Sequence, residues 1–167
     1  PGLELHVSTQ ASTTNWHTVQ MWKELGATRV VAAREVSLAD LKEMKDNVDI
    51  EIESFVHGSM CISYSGRCLL SNYMTGNRDA NRGQCSQSCR WKYSLVESNR
   101  PGEYYPIEED EHGTYIFNSK DLCLIHRIPD LYEAGIDSLK IEGRMKSVHY
   151  CATVAKVYRT AIDTYQI

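Results

Sequence analysis

The sequence predicts an α/β fold, specifically the C-terminal part of a TIM-like (β/α) barrel whose N-terminal strands are missing from the chain. Strand-like runs alternate with amphipathic helical patterns, which is typical of a parallel sheet covered by helices. The strands carry polar side chains on one face towards their C-terminal ends, where barrels hold their functional residues. The 167 residues supply only five β/α units, whereas a closed barrel needs about 200 residues or more.

Period-two alternation or a short apolar run marks each predicted strand. The strands span residues 3–10, 28–34, 49–57, 115–119 and 138–144. Asn15 or Thr14 can cap the first helix, and Ser37 with Asp40 has the spacing of a capping box at the second helix. The last helix is predicted at residues 147–165, where apolar residues recur with helical spacing.

A long segment interrupts this alternation between residues 58 and 113. It is rich in Gly, Ser and Asn, has weak periodicity and contains four of the six cysteines. So long an irregular segment inside a domain is unusual and is usually functional. We therefore treat residues 1–167 as one partial barrel domain with a cysteine-rich insertion at residues 58–113.

The cysteines indicate a metal or cluster site. Six cysteines in 167 residues are too few for a small disulfide-bonded scaffold, and no CxxC pair is present. Cys61 and Cys123 each follow a strand, and Cys68 and Cys85 lie in the insertion between them. Four such thiolates can ligate an iron–sulfur cluster, with zinc, disulfides or unrelated buried thiols as the alternatives. Cys151 lies on the apolar face of the last helix and is expected to be a structural thiol.

Two sets of polar residues are candidate functional groups at the same end of the strands. Glu53 and His57 are four residues apart on one strand, so they share a face and could act as acid/base or orienting groups. Lys140, Glu142 and Arg144 share a face of the last strand and could bind an anionic substrate. For both sets the alternative is an internal layer of hydrogen bonds and ion pairs.

The distribution of charge points weakly to a nucleic acid. The net charge is −4, but residues 61–92 carry five basic side chains against one acidic, and residues 97–111 carry six acidic side chains against one basic. Arg90, Trp91 and Lys92 interleave cations with an aromatic ring, as RNA-contacting loops do, with a packed loop end as the alternative. The HExxH and GxSxG signatures of metalloproteases and serine hydrolases are absent.

The chain has no apolar run of about 18 residues, so we expect no membrane span. No secretory signal pattern precedes the first strand, and we expect a reducing, cytoplasmic location. The sheet edges left by the missing strands would be exposed, and such edges tend to pair with another chain. A homo-oligomer formed through these edges is therefore a further expectation.

Several segments are similar to the signature of peptidase family U-32, the collagenase-like peptidases. The matching segments follow one another in order over nearly the whole chain: Glu53–Cys61 (ESFVHGSMC), Gly66–Ser71 (GRCLLS), Asn81–Arg90 (NRGQCSQSCR), Asn118–Leu124 (NSKDLCL) and Lys140–Lys146 (KIEGRMK). The resemblance implies a barrel-like domain, of which this chain would lack the N-terminal portion.

The resemblance also implies two kinds of activity. The family takes its name from collagen-degrading members, whereas other members act in the hydroxylation of a tRNA wobble uridine, an rRNA cytidine or a ubiquinone precursor without molecular oxygen. The quinone branch implies a [4Fe–4S] cluster on Cys61, Cys68, Cys85 and Cys123, with prephenate as the hydroxyl source. Cys89 has a counterpart in other members of the family and could substitute for one of these ligands. The segments around Cys123 and Lys140 look closest to the RNA-hydroxylating branch.

We therefore expect an iron–sulfur protein that supports oxygen-independent hydroxylation of a tRNA base. Glu53 and His57 would flank the cluster, and Lys140 and Arg144 would bind a small anionic donor such as prephenate. The expected partner is tRNA, contacted by residues 90–92. The alternatives are a collagenase-like (metallo)peptidase and a zinc-stapled scaffold without enzymatic activity.

Overall fold

The computed structural model describes residues 2–91, 93–106 and 120–165. Within these ranges the chain forms a mixed α/β structure. Its elements, in chain order, are β1 (His6–Val7), α1 (Trp16–Glu24), β2 (Arg29–Val31), α2 (Leu38–Asn47), β3 (Glu51–Gly58), α3 (Leu70–Thr75), β4 (Ser94–Leu95), β5 (Tyr105–Pro106), β6 (Leu122–Cys123), α4 (Ile128–Glu133), β7 (Ser138–Ile141) and α5 (Val148–Tyr165).

One five-stranded sheet organises the fold. β1, β2 and β3 are parallel neighbours in that order, and β7 pairs in parallel with the other side of β3. β6 adds a short antiparallel pair at the C-terminal end of β3, which the sequence pattern did not predict. The sheet is not closed into a barrel in the described residues. The strand predicted at residues 115–119 lies outside them.

Local signals place the first two helices as predicted. The side chain of Asn15 accepts a hydrogen bond from the backbone N–H of Thr18 at 3.0 Å, which satisfies an N-terminal amide of α1. Ser37 and Asp40 form a reciprocal capping box at the start of α2. Each cap fixes the residue at which its helix begins, and the strand that follows each helix is paired in the parallel sheet.

Two apolar clusters lie between the sheet and the helices. The first joins Val19 of α1 and Met44 of α2 to strand residues such as Ile52, and the second joins Val56 of β3 to Leu131 of α4 and Tyr158 of α5. Full burial of such side chains stabilises the fold by about 1.5–3 kcal/mol each. This packing leaves the opposite side of the strands available for polar residues.

A bulge in β3 changes which way its side chains face. Phe55 is in register with Lys140, but the next pair along is His57 with Ile141, so Val56 is an extra residue in β3. Beyond the bulge the expected alternation is shifted. Glu53 contacts β7, whereas the His57 ring lies 5.5 Å from the ring of Tyr158 in α5. The predicted shared face of Glu53 and His57 is therefore interrupted.

The insertion lies directly on the backbone of the scaffold. Its described part contains α3 and the antiparallel hairpin β4–β5, and residues 107–113 lie outside the description. Gly58 has φ +105°, and a Cβ atom there would collide with the carbonyl oxygen of Glu142; Gly66 has φ +74° and meets the carbonyl of Gln10 in the same way. These contacts hold the start of the insertion against the ends of β7 and β1.

None of the described helices is long and apolar enough to cross a membrane. β1 is an edge strand of the sheet, since it pairs with β2 alone among the described strands. Its outer edge is the place where the expected pairing with another copy would occur, and the homo-oligomer stays a prediction.

Candidate functional site

A cavity of about 400 Å³ lies between the insertion and the C-terminal ends of the parallel strands. Its scaffold side is formed by residues 8–10 after β1, Arg34 after β2, residues 59–61 after β3 and residues 141–144 at the end of β7. Because the carboxyl ends of parallel strands meet at one edge of a sheet, segments far apart in sequence converge there. The insertion covers this edge and closes the cavity.

Four cysteines of the insertion line the cavity, namely Cys61, Cys68, Cys85 and Cys89. The Cys85 sulfur accepts a hydrogen bond from the backbone N–H of Gln87 at 3.3 Å. Burial is the main cause that raises the pKa of the Cys89 thiol above its ordinary value, and the other three thiols add to the effect while Arg90 opposes it. The four thiols therefore form one electrostatically connected group.

The other two cysteines lie elsewhere. Cys123 is exposed on β6, where it pairs with His57, and its thiol is close to the Tyr158 hydroxyl rather than in the cavity lining. The Cys151 sulfur is half-buried, 3.8 Å from the carbonyl oxygen of Gly143. Of the four ligands that the family resemblance implies, the structure thus brings three together with Cys89 and leaves Cys123 outside.

The donor chemistry of the cavity fits an iron–sulfur cluster. Four thiols line one space, which matches the four cysteine ligands of such a cluster. The N–H donated to the Cys85 sulfur and the cations of the wall favour thiolate, whereas burial and the neighbouring thiols oppose it at Cys89. No group of three or more His, Cys, Asp or Glu side chains in the described ranges is arranged to hold a metal ion as it stands. The four cysteines are therefore of the right chemical type for a cluster, and binding one would require their sulfur atoms to move closer together.

Two buried polar atoms in the cavity wall have no hydrogen-bond partner among the described residues. One is Nε of Arg34, whose guanidinium carbon lies 3.9 Å from the centre of the Phe55 ring. The other is Oε2 of Glu142, whose Oε1 accepts from the Gln87 side chain at 3.3 Å and from the backbone N–H of Arg144 at 3.0 Å. Buried polar atoms are normally paired, so this donor and this acceptor are distinctive in the cavity wall, and a ligand that reached them would complete their hydrogen bonds.

The three residues predicted to bind an anion all line the cavity, but they are not equally available. Lys140 donates to Glu53 at 2.6 Å, and Arg144 donates to the backbone carbonyl of Cys85 at 3.2 Å. Burial lowers the pKa of Arg34. The sequence interpretation overlooked this residue. Its position directly after β2, at the same edge as the other strand ends, is the signal that could have identified it.

Glu53 belongs to an ion-pair network below the cavity. Its Oε1 accepts from Lys140, and its Oε2 accepts from Ser138 at 3.1 Å and from Arg29 at 3.4 Å. Burial raises the pKa of Glu53, but the hydrogen bonds from Lys140 and Ser138 and the positive charges outweigh it, so the pKa lies below its ordinary value. Both carboxylate oxygens have partners and the carboxylate is held ionised, so Glu53 is not placed to donate a proton, and the internal polar layer stays the alternative to its predicted role.

His57 faces a group of tyrosines. Its ring lies 5.9 Å from Tyr150 and 5.5 Å from Tyr158, and its Nδ1 is buried without a hydrogen-bond partner in the described part of the chain. Burial, with the hydrogen bond to Asp121, raises the pKa of Tyr150 to about 12. Burial likewise raises the pKa of Tyr158 to about 12, although the hydrogen bond from the backbone of Leu124 opposes the effect. Both hydroxyls therefore stay protonated at neutral pH.

The predicted RNA-contacting residues are divided. Arg90 lines the cavity, and its guanidinium donates to the carbonyl of Met60. Trp91 is exposed, and Lys92 lies outside the described residues. Arg90 thus helps to build the cavity wall, and the contact of this segment with RNA stays a prediction.

Comparison with known proteins places the chain in a family. The sequence model of peptidase family U32 matches residues 1–166. The chain is 57% identical over 165 residues to tRNA hydroxylation protein P1 of Bacillus subtilis, covering 99% of this chain and 39% of that protein. It is 43% identical to tRNA hydroxylation protein P of Escherichia coli, covering 98% of this chain and 45% of that protein. An uncharacterized protease of Methanocaldococcus jannaschii is 44% identical, with 98% and 40% covered.

The chain therefore spans less than half the length of these curated relatives. No solved structure matches it. Since the family match extends over residues 1–166 and includes every segment that forms the cavity, the chain belongs to peptidase family U32.

Proposed function

We propose that the protein containing this chain is an RNA-modifying enzyme that supports oxygen-independent hydroxylation of a tRNA base, the wobble uridine. The observation that carries the proposal is the cavity at the strand ends, which combines four thiols, cations and two unpaired polar atoms. Similar proteins named for tRNA hydroxylation support the choice of substrate, which would place the reaction in the cytoplasm. The open sheet with its helices on one side supports the view of a barrel segment.

Cys61, Cys68 and Cys85 are proposed to hold a [4Fe–4S] cluster. The family resemblance implies Cys123 as the fourth ligand, whereas the cavity lining favours Cys89. When bound, the cluster supplies one-electron redox chemistry. The backbone N–H of Gln87 stabilises negative charge on the Cys85 sulfur.

The unpaired atoms of Arg34 and Glu142 are proposed to position a small anionic donor such as prephenate. The guanidinium N–H of Arg34 can donate to a carboxylate, and Oε2 of Glu142 can accept from a hydroxyl group. Lys140 and Arg144 add positive charge to the same wall, although they donate hydrogen bonds to Glu53 and to the backbone carbonyl of Cys85. The Phe55 ring lies 3.9 Å from the guanidinium carbon of Arg34, a cation–π contact that restrains this side chain.

The proposal is tested by nucleoside analysis of tRNA from cells that produce variants of the full-length protein as their sole copy. We expect Cys61→Ser and Cys85→Ser to abolish wobble hydroxyuridine, whereas Cys151→Ser, whose thiol lies against Gly143, leaves it in place. Unchanged hydroxyuridine in Cys61→Ser would overturn the proposal.

The fourth ligand is identified by iron and sulfide content of protein purified without oxygen. A [4Fe–4S] cluster corresponds to roughly four irons and four sulfides per chain. Iron lost in Cys123→Ser but kept in Cys89→Ser assigns Cys123, and the reverse assigns Cys89. Iron-free wild-type protein with one zinc per chain would instead support the zinc-stapled scaffold.

A second candidate function is peptide hydrolysis, since a similar protein is named a protease. The unpaired carboxylate oxygen of Glu142 is the group in the cavity that could activate a water molecule. Gelatin cleavage by purified full-length protein, lost in Glu142→Gln, would favour this function. Absence of cleavage by protein that still restores hydroxyuridine would reject it.

A further inference from the structure

The rim of the cavity carries exposed aromatic and basic side chains that the cavity itself does not use. Tyr73 of α3 is 83% exposed and Tyr64 is 69% exposed, although large aromatic residues are usually well buried. Arg67 and Arg78 are exposed as well. The side chain of Arg82 is 76% exposed and forms an ion pair with Asp79 at 3.8 Å. These five residues, Tyr64, Arg67, Tyr73, Arg78 and Arg82, are called the rim below.

Chain connectivity places the rim at the mouth of the cavity. Arg67 stands between Gly66 and Cys68, both of which line the cavity, and Arg82 directly precedes the lining residue Gly83. Tyr73 lies in α3, which begins two residues after Cys68. The rim residues and the lining residues therefore belong to the same short segments, and the rim side chains are exposed.

The composition of the rim matches single-stranded nucleic acid. Three arginines supply positive charge, and guanidinium groups bind phosphates in a fork geometry. Tyrosine rings form stacking platforms for unpaired bases, and each base–ring stack contributes about 1–3 kcal/mol. Unstacked loop bases are also the features of RNA that proteins read most readily.

We propose that the rim is the docking surface for the single-stranded loop of the tRNA, with the arginines on phosphates and Tyr64 and Tyr73 stacked on bases beside the target base. This inference rests on the proposed function, because it assumes an RNA substrate. It assigns RNA contact to residues other than the 90–92 segment, where Arg90 is bonded to Met60.

A second copy of the chain would be the competing occupant of this surface. An interface between copies favours apolar residues at its centre and few like charges. Two equivalent rims facing each other would bring like-charged arginines together, since Asp79 is the single acidic residue between positions 61 and 92. The charge of the rim therefore favours a polyanion.

The test is binding of a labelled tRNA anticodon stem-loop to the full-length protein, measured by fluorescence anisotropy at several salt concentrations. We expect Arg67→Ser/Arg82→Ser to weaken binding by about tenfold or more and to lower the salt slope by about two. Tyr64→Ala/Tyr73→Ala should weaken binding by about tenfold or more at an unchanged slope, since the lost stacking is uncharged.

Matched controls come from the helices away from the rim. Tyr132→Ala on α4 and Arg159→Ser on α5 remove side chains of similar exposure, and binding should stay within about twofold of wild type. Wild-type protein that binds the stem-loop while both rim double variants bind equally well would overturn the docking surface alone. A wild-type protein that does not bind tRNA at all would overturn the proposed function.

The mass of each protein in solution tests whether a second copy of the chain, and not RNA, occupies the rim. If Tyr64→Ala/Tyr73→Ala converts an oligomer to a smaller species and leaves affinity for the stem-loop unchanged, the rim is a contact between copies and the inference is wrong. An unchanged mass with reduced affinity supports it.

Discussion

Two groups of charged side chains lie at the same edge of the sheet, and they differ in how completely they are paired. In the Glu53 network, both carboxylate oxygens have partners, on Lys140, Ser138 and Arg29. In the cavity wall, Nε of Arg34 and Oε2 of Glu142 have none among the described residues. A fully paired network stabilises the fold, whereas unpaired buried atoms cost stability unless a ligand completes them. The difference separates structural charges from charges that are available to a substrate.

The largest effect on stability is expected from breaking the paired network. Glu53→Gln removes the negative charge that Lys140 and Arg29 share, and should lower the free energy of unfolding by about 2–3 kcal/mol, below the range for fully buried pairs because Lys140 is partly exposed. Urea unfolding of the full-length protein measures this. Glu51→Gln is the matched control, since the exposed Glu51 also pairs with Arg29 and should cost less than about 1 kcal/mol. Equal losses would remove the distinction between the two carboxylates.

Lowering the pH should remove the stability that the ionised Glu53 carboxylate contributes. The folded-state pKa of Glu53 lies below its ordinary value, which is about 4.3 for glutamate. The stability it contributes is therefore complete above that ordinary value and is lost as the pH falls through the lower folded-state pKa. The stability difference between wild type and Glu53→Gln should be constant from neutral pH to about pH 5 and shrink below about pH 4. A difference that instead shrinks near pH 7 would show that Glu53 is not held ionised.

An intermediate effect is expected on the helix-facing side of β3. The Tyr158 hydroxyl donates to the carbonyl of Val56 at 2.7 Å and accepts from the backbone N–H of Leu124 at 3.1 Å. The backbone N–H of Leu124 also donates to the Val56 carbonyl at 2.9 Å, so Tyr158→Phe removes the two hydrogen bonds of the hydroxyl without leaving either backbone group unpaired. We expect a loss of about 0.5–1.5 kcal/mol in the free energy of unfolding. The exposed Tyr132→Phe should change it by less than about 0.5 kcal/mol. Urea unfolding compares the two, and a neutral Tyr158→Phe would contradict the assignment.

The smallest effect on stability, and a large effect on activity, is expected in the unpaired cavity wall. Arg34→Lys keeps the positive charge but loses Nε and the guanidinium contact with the Phe55 ring. This substitution should change the free energy of unfolding by about 1 kcal/mol or less. Because a lysine lacks this Nε–H donor, we expect wobble hydroxyuridine in tRNA to fall by about tenfold or more. Wild-type levels of hydroxyuridine in this variant would show that Arg34 is a structural charge like Glu53.

Features that depend on residues close in sequence could be predicted from the sequence, whereas features that depend on strand pairing could not. The helix caps at Asn15 and Ser37 and four of the five predicted strands are confirmed, because capping and alternation are local properties. The bulge at Val56 is not local, since it depends on the register of β3 against β7, and it separates His57 from Glu53. The edge rule for parallel strands places Cys61 at the cavity but misplaces Cys123, and Cys68, Cys85 and Cys89 reach the cavity through the insertion. The exact membership of the cysteine group depends on how the insertion folds over that edge.

The pairing of β3 with β7 has a consequence for how the chain is made. Glu53 and Ser138 are 85 residues apart in sequence, and at about 5–20 residues per second a ribosome needs roughly 4–17 s to synthesise that distance. During this interval one edge of the central strand has no β7 beside it, and the cysteines of the insertion precede the backbone against which Gly58 will pack. The thiols are thus presented to the cell before the cavity exists. The cavity is complete once residues 138–144 have been made and β7 pairs with β3.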